Sequence, residues 1–599
     1  MARFKIPGQP KLNIFNIKNF LGVDFTNADV DKRRSPDAYN IINNGGYPET
    51  RPGYDAISTI GVRINGVWNI DTANGDIFIV HSGNSIYECG ADFKNPIKLI
   101  EGITDTVSAG IYLNGQLLIA NGTRAIVYGR FGDNYEVKYL DEIGYVPTTI
   151  ISRSPSGGGK QFEPVNMASK FRINSFLTTD TDYEYKLDVE NLSNDEVIVQ
   201  KMNADGNWET LKENTDFAVN RLEGKVIFNN IIISGPIEGR DNLTIRFGRI
   251  NQEYLDIVNH CTIATTFGYD GNNNRIFISG NKDFPNTDWH SEVEDLTYFP
   301  DINYTKIGIE PIVNYLRMND GRLAIQKKVS DTDCTIYYRT SALYNGQEVF
   351  PLTQGSKSLG CISKYANSNL LNDPLTLTEQ GVFAVVSNND EKFAMLRSHY
   401  INGKLLKESN LENAMAISLK GKYYLAINNN IYIADSRYKT YDRNSQTEQY
   451  QYEWYFWNNV PVRAWFSFNG ELYFGTEEGK IVKFNETYMD YNKPTEVYWE
   501  TPFLNLDSST LAKTIKKIIL TTRPNIASGF ELGYITPKGV QKAVQKEYIA
   551  SGFPRTLQEK ERIKKIMFVK LYIKNNTDKK MSFEEINIEY FYSGKYKGE

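Results

Sequence analysis

The sequence predicts an all-β chain: a roughly seven-bladed β-propeller, with one β-sandwich inserted into it and a second at the C-terminus. Three observations lead there. Aromatic residues make up 13% of the 599 residues, with Tyr (39) ahead of Phe (31). Tyr suits a half-buried pleated surface, because its ring packs while its hydroxyl stays in water. Short apolar runs alternate about glycine-marked tight turns, and these turns recur near the ~40–50-residue period of a four-stranded propeller blade.

The clearest hairpin runs Ala416-Ile417-Ser418-Leu419, a turn at Lys420-Gly421, Lys422 to Ile427, a second turn at Asn428-Asn429-Asn430, and Ile431-Tyr432-Ile433. Gly and Asn there supply the positive-φ positions of tight turns. The same grammar recurs about Asn114-Gly115 and Asn469-Gly470, with weaker copies at Gly75, Gly271, Gly321 and Gly381. The seven glycines are separated by 40, 156, 50, 60, 40 and 49 residues. Five intervals fit one blade, and the long one exceeds a blade by about the size of a small domain.

That insertion is also visible directly. Ser152 to Gly159 reads as a flexible linker. Short alternating strands follow at Tyr183 to Leu187, Val197 to Met202, Phe217 to Asn220, Lys225 to Phe228 and Leu243 to Phe247, the grammar of a compact sandwich. After about residue 494 come strands at Val497 to Trp499, Ile515 to Thr522, Phe530 to Ile535, Met567 to Ile573 and Ile586 to Tyr592, with Gln558 to Ile566 as a short helix. The expected organisation is an extended N-terminal arm leading into the first blade (1–55), blades (56–150), the inserted sandwich (151–255), further blades (256–494) and a C-terminal sandwich (495–599). Neither a Trp-Asp blade signature nor a double-glycine repeat is present, so the blades are degenerate.

Bulk composition limits the function. The chain holds 67 Lys and Arg against 72 Asp and Glu, for a net charge of −5. No strong basic field exists to hold nucleic acid by its phosphates. Cys89, Cys261, Cys334 and Cys361 are scattered and read as reduced core residues. Four isolated histidines offer no metal-ligand spacing. Met1 to Lys5 lacks the apolar run of a signal peptide, and no apolar window is long enough to span a membrane, so synthesis in a cytosol is expected.

The sequence holds no catalytic motif at the required spacing: no GxSxG elbow, no HExxH, no phosphate-binding loop, no GxGxxG opening a helix. Gly157-Gly158-Gly159-Lys160 has no helix to follow. Ser398-His399 are adjacent, which on a strand points them to opposite faces, out of the reach a nucleophile and base require. Asp180-Thr181-Asp182 and Asp331-Thr332-Asp333 could offer oxygens to Ca²⁺, but neither continues as a twelve-residue loop; Asp in a turn bonding nearby backbone is the alternative. Asn203 to Trp208 faintly resembles the Asp-box of sialidases, off by one residue. The aromatic run Tyr450, Tyr452, Trp454, Tyr455, Phe456, Trp457 could stack sugars, or pack on both faces of a strand. No catalytic, cofactor-binding or metal-binding residue is assigned, and no enzymatic activity is expected.

Three stretches near the N-terminus carry a resemblance: Phe20-Leu21-Gly22-Val23-Asp24, Ser35-Pro36-Asp37-Ala38-Tyr39-Asn40, and Glu49-Thr50-Arg51-Pro52-Gly53-Tyr54. Further matches are Phe171 to Asn174 with Thr215 to Phe217, Asn274 to Asn281, Tyr298-Phe299-Pro300, Leu472 to Thr476, and Ser582 to Ile588. Together they resemble large virion proteins of tailed bacteriophages, described as stabilisation or tail structural proteins, and by analogy the propeller-bearing nozzle proteins of short-tailed phages. The resemblance implies a homo-oligomeric ring, usually sixfold, bound to adaptor or portal-side proteins in the tail or neck. Genomic DNA would pass through its lumen without specific binding. Two other readings are a receptor- or glycan-binding, adhesin-like propeller and, further off, a glycan-cleaving propeller enzyme.

Overall fold

The structure is a computed structural model that describes residues 11–72, 75–233, 235–250, 253–357, 359–387, 392–441, 450–523, 528–549, 556–558 and 563–595. The chain is all-β, with 53% strand against 4% helix. Its contacts divide it into two compact units: residues 1–69, 90–95 and 361–599 form the first, and residues 70–89 and 96–360 the second.

Six four-stranded antiparallel sheets, the repeating element of a propeller, and a seventh sheet whose first four strands pair in the same way occur among the described residues. Three lie in the second unit, at 109–139, 263–306 and 312–354, and a fourth, 64–101, lies mostly there. The remaining three belong to the first unit. Two of these are continuous, at 368–396 and 415–457. The third takes Ala464–Phe468, Glu471–Gly475 and Lys480–Asn485 and is completed by Gly53–Thr59, pairing Phe484 with Tyr54. Residues 53–59, divided in the expected organisation between the arm (to 55) and the first blades (from 56), are thus the fourth strand of this last sheet, which continues through Met489–Asp490 to Lys493–Pro494. The hydrophobic pattern of one strand carries no record of which distant partner it pairs with.

The glycine-marked turns hold. Gly115, Gly271, Gly321, Gly421 and Gly470 each lie between the first two strands of a sheet, and Gly75 opens the second strand of another, Gly75–Ser82. Gly381 separates the second and third, between Asp373–Thr378 and Gly381–Ser387. The first turn of that sheet is made at Leu371, with φ of 54°. This displacement explains the uneven spacings of 60 and 40 residues about Gly381: measured to Leu371, both neighbouring intervals come to about one blade.

The insertion in the second unit is a sandwich. One sheet runs in the order Lys160–Gln161, Thr148–Arg153, Phe171–Phe176, Leu243–Gly248, Ile198–Met202, Trp208–Leu211, and a smaller one contains Glu184–Lys186, Lys225–Phe228 and Phe217–Asn220. Phe176, Tyr185, Val199, Phe217, Val226, Ile245 and Phe247 close its core. The stretch Ser152 to Gly159 is not a linker. It is the turn joining Thr148–Arg153 to Lys160–Gln161, tied down by Arg153, whose guanidinium donates to the carbonyls of Lys186 (2.7 Å), Gly158 (2.6 Å) and Leu187 (2.9 Å). Its glycines serve turn geometry at positive φ, and composition alone does not separate that use from flexibility.

In the first unit, the C-terminal sandwich is woven with the N-terminal segment. Asn13–Lys18 pairs with the last strand, Phe583–Lys595, and Ala38–Tyr39 pairs with Val497–Glu500 in the opposite sheet. The expected extended arm is therefore built into both sheets of the sandwich; its first ten residues lie outside the described ones. Nor does packing break at residue 494. Phe20, Leu375, Leu425, Trp454, Trp499, Leu520 and Ile588 belong to one continuous core. The expected helix at 558–566 is also replaced: Thr556–Gln558 and Ile563–Ile566 are strands beside Leu511–Thr522, while 559–562 lie outside the described residues. Sheet pairing there overrides the helical propensity of Lys and Glu.

Candidate functional site

The most developed polar site is in the first unit, where the N-terminal stretches meet Tyr450–Trp457 and the segment at 489–500. It starts from a close approach. Gly22 lies so near Trp454 that a Cβ would overlap the Trp454 carbonyl. That contact lets Val23 N–H donate to the same carbonyl at 2.8 Å and Gly22 N–H donate to Glu453 at 3.1 Å. Glu453 is buried and also accepts from Arg34 Nε at 3.1 Å, from the Arg34 Nη2 group, and from Thr440 at 2.7 Å. Burial works against the Arg34 charge, but Glu453 overcomes it and holds the guanidinium pKa above its ordinary value.

The second part is built on Asn40, at φ of 59°. Its amide donates to Asn458 Oδ1 (2.6 Å) and Glu496 O (2.7 Å), and its carbonyl oxygen accepts from Arg51 Nε (2.9 Å) and Asn458 N (3.0 Å). Arg51 is fully buried and grips Asp490. Ser35 Oγ sits between the backbone N and O of Glu500, at 3.2 and 2.7 Å. Tyr54 Oη donates to Asn459 O at 2.6 Å. Gly53 packs on the backbone of Met489, where a Cβ would overlap. Gly22, Ser35, Asn40, Arg51, Gly53 and Tyr54, which carried the resemblance, thus converge on one clasp. Their partners Glu453 and Asp490 lie more than 400 residues away in sequence and were not singled out there. Donors and acceptors in the clasp are matched to one another, so its chemistry is to hold segments together.

The other residues considered for chemistry are distributed as follows. Tyr450–Trp457 packs on both faces as expected: Tyr452, Trp454 and Phe456 enter one core, and Tyr455 and Trp457 another. Beside it, Asp373 accepts from Tyr450 (2.6 Å), Tyr452 (2.8 Å) and Arg397 (2.8 Å). Burial raises the Asp373 pKa, but these three donors outweigh it and hold the carboxyl below its usual range, while burial and Asp373 push the Tyr452 hydroxyl far up. A Tyr held neutral in this way is a poor nucleophile.

In the second unit, Asp333 is engaged by Lys327 Nζ (2.5 Å), by the backbone N–H groups of Ile309 (2.7 Å), Glu310 (3.0 Å) and Cys334 (2.8 Å), and by Tyr337 Oη (2.8 Å). This is the structural-turn role. Asp182 accepts from the side-chain hydroxyls of Thr179 and Thr181. Among the described residues no group of three His, Cys, Asp or Glu could hold a metal ion. The four cysteines are buried, and no disulfide joins them. Asn203 turns the hairpin before Trp208, accepting from Asp205 N and Asn207 N.

Ser398 and His399 are not on a strand. His399–Ile401 is a short helical turn, and Ser398 Oγ donates to Asn402 at 2.6 Å. A serine–histidine pair that spacing could not reveal is Ser108 with His81, Oγ to Nδ1 at 2.7 Å, with His81 Nε2 3.0 Å from Gly83 O. Both side chains are buried, which suits a core hydrogen bond. His260 lies 3.8 Å from Asp256. His290 packs against Phe277 and Phe350.

No family model matches the chain, and no curated protein matches it. Solved structures similar to it include Hsv2 of Kluyveromyces lactis (9% identity, 67% of this chain and 100% of that one, TM-score 0.26). The β-propeller domain of Cps50 (Swd1) from Myceliophteria thermophila is another (11% identity, 72% and 99%, TM-score 0.24). An exo-β-1,3-galactanase from Phanerochaete chrysosporium is a third (8% identity, 89% and 96%, TM-score 0.15). Similarity at these scores carries no argument about function.

Proposed function

We propose that the chain is a structural, non-enzymatic component of a tailed-phage virion, a ring in the tail or neck that extends or stabilises the channel through which DNA is ejected. The observation that supports this reading is the clasp. Several residues that resemble tailed-phage virion proteins, Gly22, Ser35, Asn40 and Arg51, tie the N-terminal segment to the 415–457 sheet, to the segment at 489–500 and to the C-terminal sandwich. A part that carries mechanical load benefits from distant chain segments joined by buried, mutually satisfied contacts. Repetition of one such subunit around an axis closes a ring through heterologous interfaces. Electron microscopy of the purified chain, and of particles containing it, tests the reading. The expected result is sixfold rings placed at the neck or nozzle. Monomers or trimers with glycan affinity would replace it with the adhesin reading, and glycan release lost on replacing a carboxylate would make the chain an enzyme.

A further inference from the structure

The net charge of −5 is unevenly divided. Residues 511–599 hold 18 Lys and Arg against 9 Asp and Glu, so the rest of the chain is correspondingly more acidic. Several basic side chains of this stretch are engaged. Lys574 pairs with Glu531 at 3.0 Å, Lys580 with Glu49 at 3.0 Å, and Lys570 with Glu500. Lys513 is buried and donates to the carbonyls of Met567 (2.9 Å) and Ser508.

Four lysines differ. The side chains of Lys516 and Lys517 on Leu511–Thr522, and of Lys564 and Lys565 on the neighbouring strand Ile563–Ile566, have no ion-pair or hydrogen-bond partner among the described residues. Lys516, Lys564 and Lys565 are exposed and Lys517 is half-buried.

The backbone gathers them. Ile515 pairs with Tyr590 and Lys517 with Glu589, leaving Lys516 as the extra residue of a bulge. On the other side, Lys513 pairs with Ile566 and Ile515 with Ile563, so Lys564 and Lys565 together face one residue. Lys565 sits at φ of 54°, a region disfavoured for side chains other than Gly and Asn. Bulges re-aim side chains, and at these two Lys516, Lys564 and Lys565 stand exposed on adjacent strands with Lys517 half-buried beside them. None of the large exposed apolar side chains lies on either strand. A protein interface would want an apolar centre with few charges; a polyanion wants flexible point charges, which lysine supplies without reading sequence.

We infer that this patch contacts the phosphodiester backbone of duplex DNA, independent of base sequence. The choice of DNA rests on the conduit reading above. The acidic remainder of the chain repels the duplex, so contact is confined to the bulged edge of the C-terminal sandwich.

The test is fluorescence anisotropy of a labelled duplex of about 30 base pairs with the full chain between 50 and 200 mM salt. Four phosphate contacts predict a slope of log K on log salt of about −3.6, so affinity falls roughly 100-fold across that range. The variant K516E/K517E/K564E/K565E should lose binding while melting as the wild type does. The corresponding fourfold Lys→Arg variant should retain it. If the Glu variant misfolds, the fourfold Lys→Gln variant should show a slope closer to zero by about 3.6. Absence of wild-type binding at 50 mM salt, or an unchanged slope in the Gln variant, overturns the inference. So does salt-sensitive self-association in sedimentation velocity, abolished by the same substitutions without DNA binding, which would make a second copy the occupant. Rings in particles without this DNA contact would leave the conduit reading standing and remove only the patch; absence of rings would remove the reading itself.

Discussion

Arg51, wholly enclosed, grips both carboxylate oxygens of Asp490, at 2.8 and 2.6 Å. The pair joins the start of the chain to the segment that leaves the last meander. Removing one partner of a buried pair strands the other charge. Arg51→Met should therefore cost about 3–5 kcal/mol in denaturant unfolding, and Arg51→Met with Asp490→Asn should cost less than the sum of the single changes. A loss under about 1 kcal/mol for Arg51→Met would show the pair to be dispensable.

Gly53→Val should impair folding and ring assembly together. A side chain at position 53 runs into the backbone of Met489, which cannot rotate away, and overpacking of this kind costs about 1–3 kcal/mol or more. Soluble yield, melting temperature and incorporation into particles are the readouts. A stable variant that assembles normally would show that the contact can relax.

His290 gives the second unit a pH dependence. Burial, and then the charges of Arg275 and Arg339, lower its pKa to about 4, against the opposing pull of Asp288 and the Ser291 carbonyl. The folded state keeps the ring neutral where the unfolded chain, titrating near 6.5, takes up a proton. Its contribution is complete above about pH 6.5 and is lost progressively as pH falls towards 4, up to about 3 kcal/mol. His290→Phe, which keeps an aromatic ring between Phe277 and Phe350, should flatten the loss of stability between pH 6.5 and 4.5. Parallel pH profiles for the two proteins would place the sensitivity elsewhere.

Arg153 should protect its own turn. The wild-type chain is expected to resist limited proteolysis at 154–160, because the guanidinium fastens that turn to Lys186 and Leu187. Arg153→Ala should open it to cleavage, read by mass spectrometry of the fragments. Equal cleavage of both proteins would restore the linker reading.

Local pattern made much of this architecture readable. The hairpins about Gly115, Gly421 and Gly470 announce themselves because a tight turn needs positive φ and the flanking strands alternate. Leu371 shows where such reading stops: it adopts the left-handed turn with φ of 54° despite its side chain, so no glycine marks the position. The clasp was half visible. Arg51, Asn40 and Gly53 stood out as a motif, while Glu453 and Asp490 are ordinary acidic residues until the fold brings them over. The lysine bulges were hidden for a similar reason, since a bulge is a property of two paired strands and neither strand shows it alone.

The pairing of Gly53–Thr59 with Lys480–Asn485 also sets a timetable on the ribosome. More than 400 residues separate the two strands, and at about 5–20 residues per second the earlier one waits roughly 20–90 seconds for its partner to emerge. Throughout that interval its hydrogen-bonding edge is open to chaperones and to other nascent chains. The first unit is consequently completed only after the second has emerged, although its own strand at 53–59 precedes it, and crowded polysomes are where its misassembly would begin.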